Sequence, residues 1–443
     1  MSSIPYPHSP LFNRLLDQVH TMPVIDCHEH LIGPEGRPKY KEPITMLLHF
    51  YMSNDLASAA FGVPEIEVRK LLDEEVPTDQ KWPLFERLWR ATEHTAYARV
   101  TKIVLKDVYG ETEVTRDALE RMAVKMAGMD EAAYFRTIDE SNIHAMVVDV
   151  LGWAPGGLES YLSGKKTFPP KWRLVIPLPL FHPVKFSWAS IQYVGGLVDR
   201  HITSLDEFLE AAFTVFQRCI ERGAIGFKDQ SAYERSLSYD LVPEAEADQQ
   251  FNQLLSDPRR ELGWPEGKPL NDYLFHQYMR FARDLKKPVQ IHTGHMAGIY
   301  NEIEKTRAVH LTPLFELHQQ VRFDLFHGNW PYMGDLLFLG KNYPNVSLDL
   351  CWLHIIDPAY AIEMLERATL SLPHTKINAF GGDYGDQPEF TAAHLQIARQ
   401  NVAAALTNLV EGSWLEEEQA VSLAKDWLFN NPNRFFSLGF EEV

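Results

Sequence analysis

The sequence lacks the marks of a disulfide-rich, membrane-spanning or nucleic-acid-binding protein. Its three cysteines, Cys27, Cys219 and Cys351, form no C-x-x-C pair, so a reducing compartment is expected, and we predict the cytoplasm. No apolar run approaches the ~20 residues of a bilayer span, and the first residues lack the charged and apolar regions of a secretory signal. A formal net charge of −18 argues against partners that need a basic surface, so neither nucleic acid nor membrane is expected.

What the sequence does have is the composition of a large globular protein. Hydrophobic residues make up 45% and aromatic residues 12% of the 443 positions, which is enough for an extensive core. This length allows one large domain or two to three ordinary ones. Because no Gly/Ser-rich linker interrupts the chain, we predict a single domain over 1–443. The expected partners are a small-molecule substrate and further copies of the same chain in a homo-oligomer.

The order of predicted elements favours a closed α/β barrel. Alternating strands and helices predict a parallel sheet, and eight strands predict a (β/α)8 TIM barrel. A stretch at about 34–141 has helical periodicity, including one helix at 82–107, and is predicted to be an insertion after the first strand. A last helix is predicted at 416–429. The predicted strands are 24–30, 143–153, 172–180, 224–228, 288–292, 322–327, 346–352 and 377–383.

The first predicted strand ends in a His-x-His motif. Side chains two residues apart point to the same side of a strand, so His28 and His30 would present two imidazoles to one point. Neutral imidazole is a common ligand of zinc and similar metals. The motif alone is a weak signal, because two unrelated surface histidines near a turn would look the same.

Other predicted strands also end in side chains that can bind a metal or transfer a proton. In such barrels the active site lies at the carboxyl ends of the strands, so these side chains would meet at one mouth. Each could separately be an ordinary loop or turn residue, but their recurrence at strand ends is hard to ascribe to coincidence. Imidazole and carboxylate ligands together suit a divalent metal. Beside His28 and His30, the residues are Lys228, His292, His327 and Asp383.

This set resembles the metal-ligand pattern of the amidohydrolase superfamily. That pattern has His-x-His on strand one, Lys or Glu on strand four, His on strands five and six, and Asp on strand eight. The segment 431–436 also resembles the closing motif of the family, so the resemblance covers about 24–436. It implies a metal-dependent TIM barrel that holds one or two divalent ions, with Zn²⁺ expected. The matching ligands are His28, His30, Lys228, His292, His327 and Asp383.

The resemblance implies hydrolysis by metal-activated water of a small amide, lactone or ester, which can bear a carboxylate. Asp383 would act as general base and then general acid. His327 would either bind a second metal or polarise the substrate carbonyl. Lys228 has three interpretations: a carbamate that bridges two metals, a cationic contact to substrate, or a structural ion pair with Asp229 or another neighbour.

Two subgroups of the superfamily compete. The segments 22–31, 82–109 and 378–382 resemble uronate isomerases, but isomerases of that group carry an arginine where this chain has Gly385. The segment 226–235 resembles amidohydrolase-related proteins linked to glutamine-synthetase-like chains. We therefore predict a hydrolase. The alternatives are an aldose-ketose isomerase, a metal-dependent decarboxylase, and a non-catalytic binding protein, which the complete ligand set disfavours.

Five residues beyond the ligands are candidates for substrate binding. An arginine fork suits a carboxylate, so Arg235 could hold one beside Tyr233, although a salt bridge is the more frequent role of a lone arginine. The other three lie on loops after strands and would either wall a pocket or close the top of the barrel. They are His295, Trp330 and Trp352.

Overall fold

The computed structural model describes residues 9–127, 131–153 and 156–443. Eight strands form one sheet in which each strand runs parallel to the next in chain order. They are β1 Val24–Glu29, β2 Ile143–Val148, β3 Trp172–Pro177, β4 Gly226–Asp229, β5 Val289–Ile291, β6 Phe323–Leu325, β7 Val346–Asp349 and β8 Ile377–Asn378.

Backbone hydrogen bonds between β1 and the segment after β8 bring the two edges of this sheet together. The Cys27 amide donates to the Phe380 carbonyl at 2.9 Å, and the Asp383 amide donates to the His28 carbonyl at 2.9 Å. The predicted (β/α)8 TIM barrel is confirmed. Every residue of β1 and β4 is buried, as expected for strands covered on both faces.

Helices cover the outside of the barrel and bury one large apolar core against it. A short antiparallel pair, Phe186–Ser187 with Glu261–Leu262, lies apart from the barrel. No described helix is long and apolar enough to cross a membrane. The helices outside the insertion are α1 Pro10–Thr21, α9 Gly157–Leu162, α10 Trp188–Gly196, α11 Leu205–Glu221, α12 Glu244–Ser256, α13 Lys268–Asp284, α14 Thr312–Leu317, α15 Met333–Asn342, α16 Leu353–Ile356, α17 Pro358–Ser371, α18 Pro388–Glu411, α19 Glu417–Lys425 and α20 Asn431–Phe436.

The stretch between β1 and β2 is helical, as the periodicity predicts. The predicted single helix at 82–107 is two helices, because Thr95 caps the second one by accepting a hydrogen bond from the Ala98 amide at 3.2 Å. A second apolar core joins these helices to the barrel mouth through Tyr51, Phe326 and Trp352. The helices are α2 Pro43–Leu47, α3 Met52–Ala59, α4 Glu65–Arg69, α5 Thr78–Thr92, α6 Ala96–Asp107, α7 Arg116–Met126 and α8 Glu131–Glu140.

The prediction that the last helix ends at 429 is wrong. A π-helical turn, Asp426–Asn430, carries the chain from α19 directly into α20. Pro432, which has no N–H to donate, lies in the first turn of α20. The Asn431 side-chain amide donates to the His374 and Ile377 carbonyls, at 2.8 and 2.9 Å, which ties this junction to the start of β8.

Candidate metal centre

The end of β1 and the loop after β8 bring two imidazoles and a carboxylate together. His28 Nε2 lies 3.1 Å from His30 Nε2. Asp383 Oδ1 lies 3.4 Å from His28 Nε2 and 3.3 Å from His30 Nε2. Glu29, between the two histidines, turns the other way and accepts a hydrogen bond from the Tyr384 amide at 2.7 Å. The alternation of the strand therefore separates the two candidate ligands from Glu29.

Backbone carbonyls orient three of the histidine rings at this site. A carbonyl only accepts, so each ring nitrogen that contacts one must carry the proton. His30 Nδ1 donates to the Asp149 carbonyl at 2.9 Å, His327 Nδ1 to that of Cys351 at 2.9 Å, and His292 Nε2 to that of His295 at 2.7 Å. The remaining nitrogens, His327 Nε2 and His292 Nδ1, lie 3.1 Å apart with no proton between them. Facing lone pairs of this kind call for a cation.

The protonation states also fit a divalent cation. Burial lowers the pKa of His28 and of His292 well below the usual range and lowers that of His327 to about 4, so these rings are neutral ligands at pH 7. Burial alone would raise the pKa of Asp383, but the hydrogen bond to His30 and neighbouring positive groups lower it overall. Neutral imidazoles and an ionised carboxylate are the donor set that zinc and similar metals take.

Two of these residues adopt unfavourable backbone conformations. His327 and Asp383 each have a φ of 61°, in the left-handed region that costs a non-glycine residue about 1–2 kcal/mol. Such conformations cluster at functional sites, where surrounding contacts enforce them. Here the Tyr51 hydroxyl, from the insertion, donates a hydrogen bond to the Asp383 carbonyl.

A cavity of about 470 Å³ opens above these ligands. It includes three predicted ligands besides Lys228 and has aromatic walls from the insertion and from the loops after β2 and β4. Its lining residues are His30, Phe50, Tyr51, Trp153, Pro179, Pro183, Val184, Lys228, Gln230, Ser231, Tyr233, Glu234, His292, Ala297 and Asp383.

Lys228 lies at the floor of this cavity without a polar partner. Its Nζ makes no hydrogen bond within the described residues and lies 3.7 Å from the centroid of the Phe326 ring. Asp229 contacts His182 instead, at 3.3 Å, and accepts a hydrogen bond from the Ser231 hydroxyl at 2.6 Å. The interpretation of Lys228 as an ion pair with Asp229 is therefore wrong. Burial lowers the lysine pKa, which favours the neutral amine that carbamate formation requires.

Of the two candidates after β4, only Tyr233 lines the cavity. Its ring lies 4.8 Å from that of His292, and its hydroxyl accepts a hydrogen bond from the Ala297 amide at 3.2 Å. Arg235 is buried outside the cavity lining and pairs with Asp272 at 2.5 Å. The alternative of a salt bridge therefore describes Arg235 better than the predicted substrate contact, because its guanidinium is already neutralised.

The three predicted aromatic residues stand behind the metal ligands. The His295 ring lies between Trp330 at 5.3 Å and Trp352 at 4.9 Å, and none of the three is among the residues that line the cavity. Trp352 is buried, packs edge-on to His327 at 5.2 Å and stacks on Tyr51 at 4.2 Å. This arrangement matches the alternative that these aromatics close the barrel top.

Sequence reasoning missed several residues of the site. Phe50, Tyr51 and Trp153 reach the cavity from segments with no pattern that marks them. Cys351 follows β7, and its position near the end of the predicted strand 346–352 was the one available signal. Its sulfur, a His327 nitrogen and an Asp383 oxygen all lie within 4.8 Å of one another.

Comparisons with known proteins agree with this architecture. Residues 191–409 match the family model described as amidohydrolase. Protein fluG from Emericella nidulans is 30% identical over 226 residues, a match that covers 48% of this chain and 26% of that relative's own length. The chain therefore corresponds to about a quarter of the curated relative it matches.

Two solved structures share the whole fold, insertion included. The uronate isomerase from Thermotoga maritima has a TM-score of 0.74 at 14% identity, covering 98% of this chain and 100% of its own. The uronate isomerase from Bacillus halodurans has a TM-score of 0.71 at 16% identity, covering 96% of each chain. At such identities the likeness is one of fold. The family match over residues 191–409 confirms the resemblance to amidohydrolases noted in the sequence.

Proposed function

We propose that this protein is a metal-dependent hydrolase that cleaves a small amide, lactone or ester. The observation that carries the proposal is the contact of the Asp383 carboxylate with both imidazoles of the His-x-His motif, at the floor of a cavity of about 470 Å³. His28, His30 and Asp383 would hold one divalent ion, and His292 and His327 would serve a second. Zinc is the expected metal because of the imidazole-rich donor set.

Asp383 is the base of the proposed reaction. A bound divalent ion supplies Lewis acidity, lowering the pKa of a water molecule from ~15.7 towards ~7. The Asp383 carboxylate is ionised, lies beside the imidazole pair and faces the cavity, so it can accept the proton of the attacking water and return it to the leaving group. The hydrogen bond from Tyr51 to the Asp383 main chain holds that carboxylate in place.

The cavity walls would orient a substrate with an apolar portion. Phe50, Trp153 and Tyr233 supply aromatic surface, whereas Gln230 and Ser231 supply polar groups on the side of β4. Lys228 is the only lysine or arginine among the described residues that line the cavity, so a substrate carboxylate or a developing oxyanion would meet it there.

The surroundings of Gly385 argue against the isomerase alternative. A Cβ atom at this position would lie 2.1 Å from Phe50 Cζ, so the insertion occupies the space where an arginine side chain would begin. The arginine expected of uronate isomerases is thus replaced by Gly385, and a side chain at this position would have to displace the Phe50 ring. This favours hydrolysis over aldose-ketose interconversion.

The test is a substrate screen with protein loaded with zinc or manganese. N-acyl amino acids, lactones and small esters are assayed for hydrolysis, glucuronate for conversion to its keto form, and aromatic carboxylic acids for carbon dioxide release. We expect hydrolysis in at least one of the first three classes, lost in the Asp383→Asn variant. Isomerisation or decarboxylation without hydrolysis would overturn the proposal, as would hydrolysis that Asp383→Asn leaves intact.

A further inference from the structure

Cys351 is held at the metal centre by contacts of its own main chain. It follows β7 by two residues, and its side chain is buried. Its amide donates to Asp349 Oδ1 at 2.7 Å, and its carbonyl accepts the hydrogen bond from His327 Nδ1 at 2.9 Å. The same residue thus orients one expected ligand and presents a sulfur atom beside it.

The space around this sulfur is made by a glycine. A Cβ atom at Gly381 would lie 2.9 Å from Cys351 Sγ and 2.8 Å from its Cβ, closer than side-chain atoms approach one another. Any other residue at 381 would push the sulfur away from the centre. Gly381 therefore allows the ends of β7 and β8 to bring the sulfur within 4.8 Å of donor atoms of His327 and Asp383.

A second observation indicates that the polar groups here await a positively charged or Lewis-acidic partner. His327 Nε2 and His292 Nδ1 face each other at 3.1 Å with their lone pairs, since each ring donates its proton to a carbonyl elsewhere. Buried nitrogen lone pairs that have neither a proton nor a cation between them destabilise the protein, and a bound cation would remove this cost.

We propose that Cys351 is a metal ligand, which with His327 and Asp383 forms a second three-donor set beside His28, His30 and Asp383. Asp383 is common to both sets, so one carboxylate would link two ions. On binding, the S–H bond breaks, its proton leaves to solvent, and the sulfur lone pair bonds the cation. A thiolate selects zinc, cobalt or cadmium over magnesium or manganese. This inference rests on the metal centre of the proposed function and identifies which metals it takes.

The test is spectroscopic and does not depend on a substrate. In zinc-loaded wild-type protein, X-ray absorption at the zinc edge should show a sulfur neighbour at ~2.3 Å, and cobalt-loaded protein should show a sulfur-to-cobalt charge-transfer band in the near ultraviolet. Both signals should vanish in Cys351→Ser and persist in Cys219→Ser, the matched control, whose cysteine is buried in α11 away from the centre. Zinc affinity of Cys351→Ser should fall by at least the ~10–100-fold that loss of an outer-shell partner costs.

The wild-type spectra decide the matter even if a variant fails to fold. Zinc bound through nitrogen and oxygen alone, or a cobalt band that Cys351→Ser retains, would overturn the inference and leave the hydrolase proposal standing. Failure of the wild-type protein to bind any divalent metal would overturn both. If zinc without a sulfur neighbour supports hydrolysis, the inference about Cys351 is overturned and the hydrolase proposal is retained.

Discussion

Two buried polar clusters follow strands of this barrel, and their difference separates function from structure. In the metal centre (His28, His30, His292, His327 and Asp383), the lone pairs of His292 and His327 face each other and the carboxylate opens to a cavity. In the strand-four network (Asp229, Ser231, Arg235, Tyr239 and Asp272), Asp229 accepts from Ser231 at 2.6 Å and from Tyr239 at 3.2 Å, and Arg235 pairs with Asp272.

Burial alone does not distinguish these clusters, because charged groups lie deep in both. What differs is whether partners within the protein neutralise them. Buried charges are normally paired. A cluster whose nitrogen lone pairs face each other therefore suits a bound cation. The comparison predicts that changes in the metal centre abolish chemistry, whereas changes in the strand-four network reduce stability.

Asp383→Asn should have the largest effect. Loss of a positioned general base typically costs ~10²–10⁴-fold in rate, and the amide cannot accept the proton of the attacking water. The measurement is kcat/KM per bound metal on the best substrate of the screen. Asp257→Asn, an exposed aspartate beyond α12, is the control and should keep full activity. If Asp383→Asn and Asp257→Asn reduced kcat/KM equally, the loss would not be specific to the metal centre.

Arg235→Met should destabilise the fold while leaving the metal centre intact. It removes one of the two cationic partners of the buried Asp272 carboxylate, which keeps Lys268. We therefore expect a loss in the free energy of unfolding below the about 3–5 kcal/mol that a fully unpaired buried charge costs. Urea denaturation measures the loss, and metal content checks the centre. The double variant Arg235→Met/Asp272→Leu should recover part of the stability, and Arg259→Met, at an exposed arginine, should change little. A stable Arg235→Met protein with a raised KM would instead restore the substrate-carboxylate role predicted from the sequence.

Metal binding at pH 7 should release a proton from His30. Burial lowers the pKa of this ring, but the hydrogen bond and charge of Asp383, with the charge of Asp149, raise it overall, so near neutral pH a larger fraction of the metal-free protein carries a proton there that a cation must displace. The pKa of His327 is about 4, so that ring is already neutral at pH 7 and releases no proton on binding a metal. Calorimetric zinc titrations in two buffers of different ionisation enthalpy count the protons.

The sign of this effect can be checked against pH. Because the His30 pKa is raised, proton competition weakens as the pH rises through it, so apparent zinc affinity should increase and proton release from this ring should cease. His30→Gln should abolish the His30 contribution at every pH. An unchanged proton count in that variant would assign the proton to another group and weaken the account of the centre.

Tyr233→Phe should have the smallest effect. It removes a hydroxyl that accepts one hydrogen bond, from the Ala297 amide, and such a bond contributes about 0.5–1.5 kcal/mol. We expect a modest rise in KM with kcat and metal content unchanged, measured by steady-state kinetics. A large fall in kcat would mean that the phenol takes part in the chemistry.

The sequence predicted the barrel well because the signals were local. Each strand carries its own apolar run, and each ligand stands where that run ends, so the common mouth follows from topology. The same reasoning misjudged Arg235, since the pattern after β4 does not show Asp272, 37 residues further along and aligned with the guanidinium in space. The helix at 82–107 was predicted whole because the Thr95 cap interrupts no apolar periodicity.

By itself, the sequence determined the order of strands and helices and the residue types at the strand ends, because burial periodicity and side-chain alternation act over a few residues. Only the tertiary structure decided which polar groups are neutralised and which remain open. Phe50 covers Gly385 and Gly381 admits the Cys351 sulfur, and both contacts join segments far apart in the chain. Electrostatic pairing and close packing depend on distances in space, which no local pattern records.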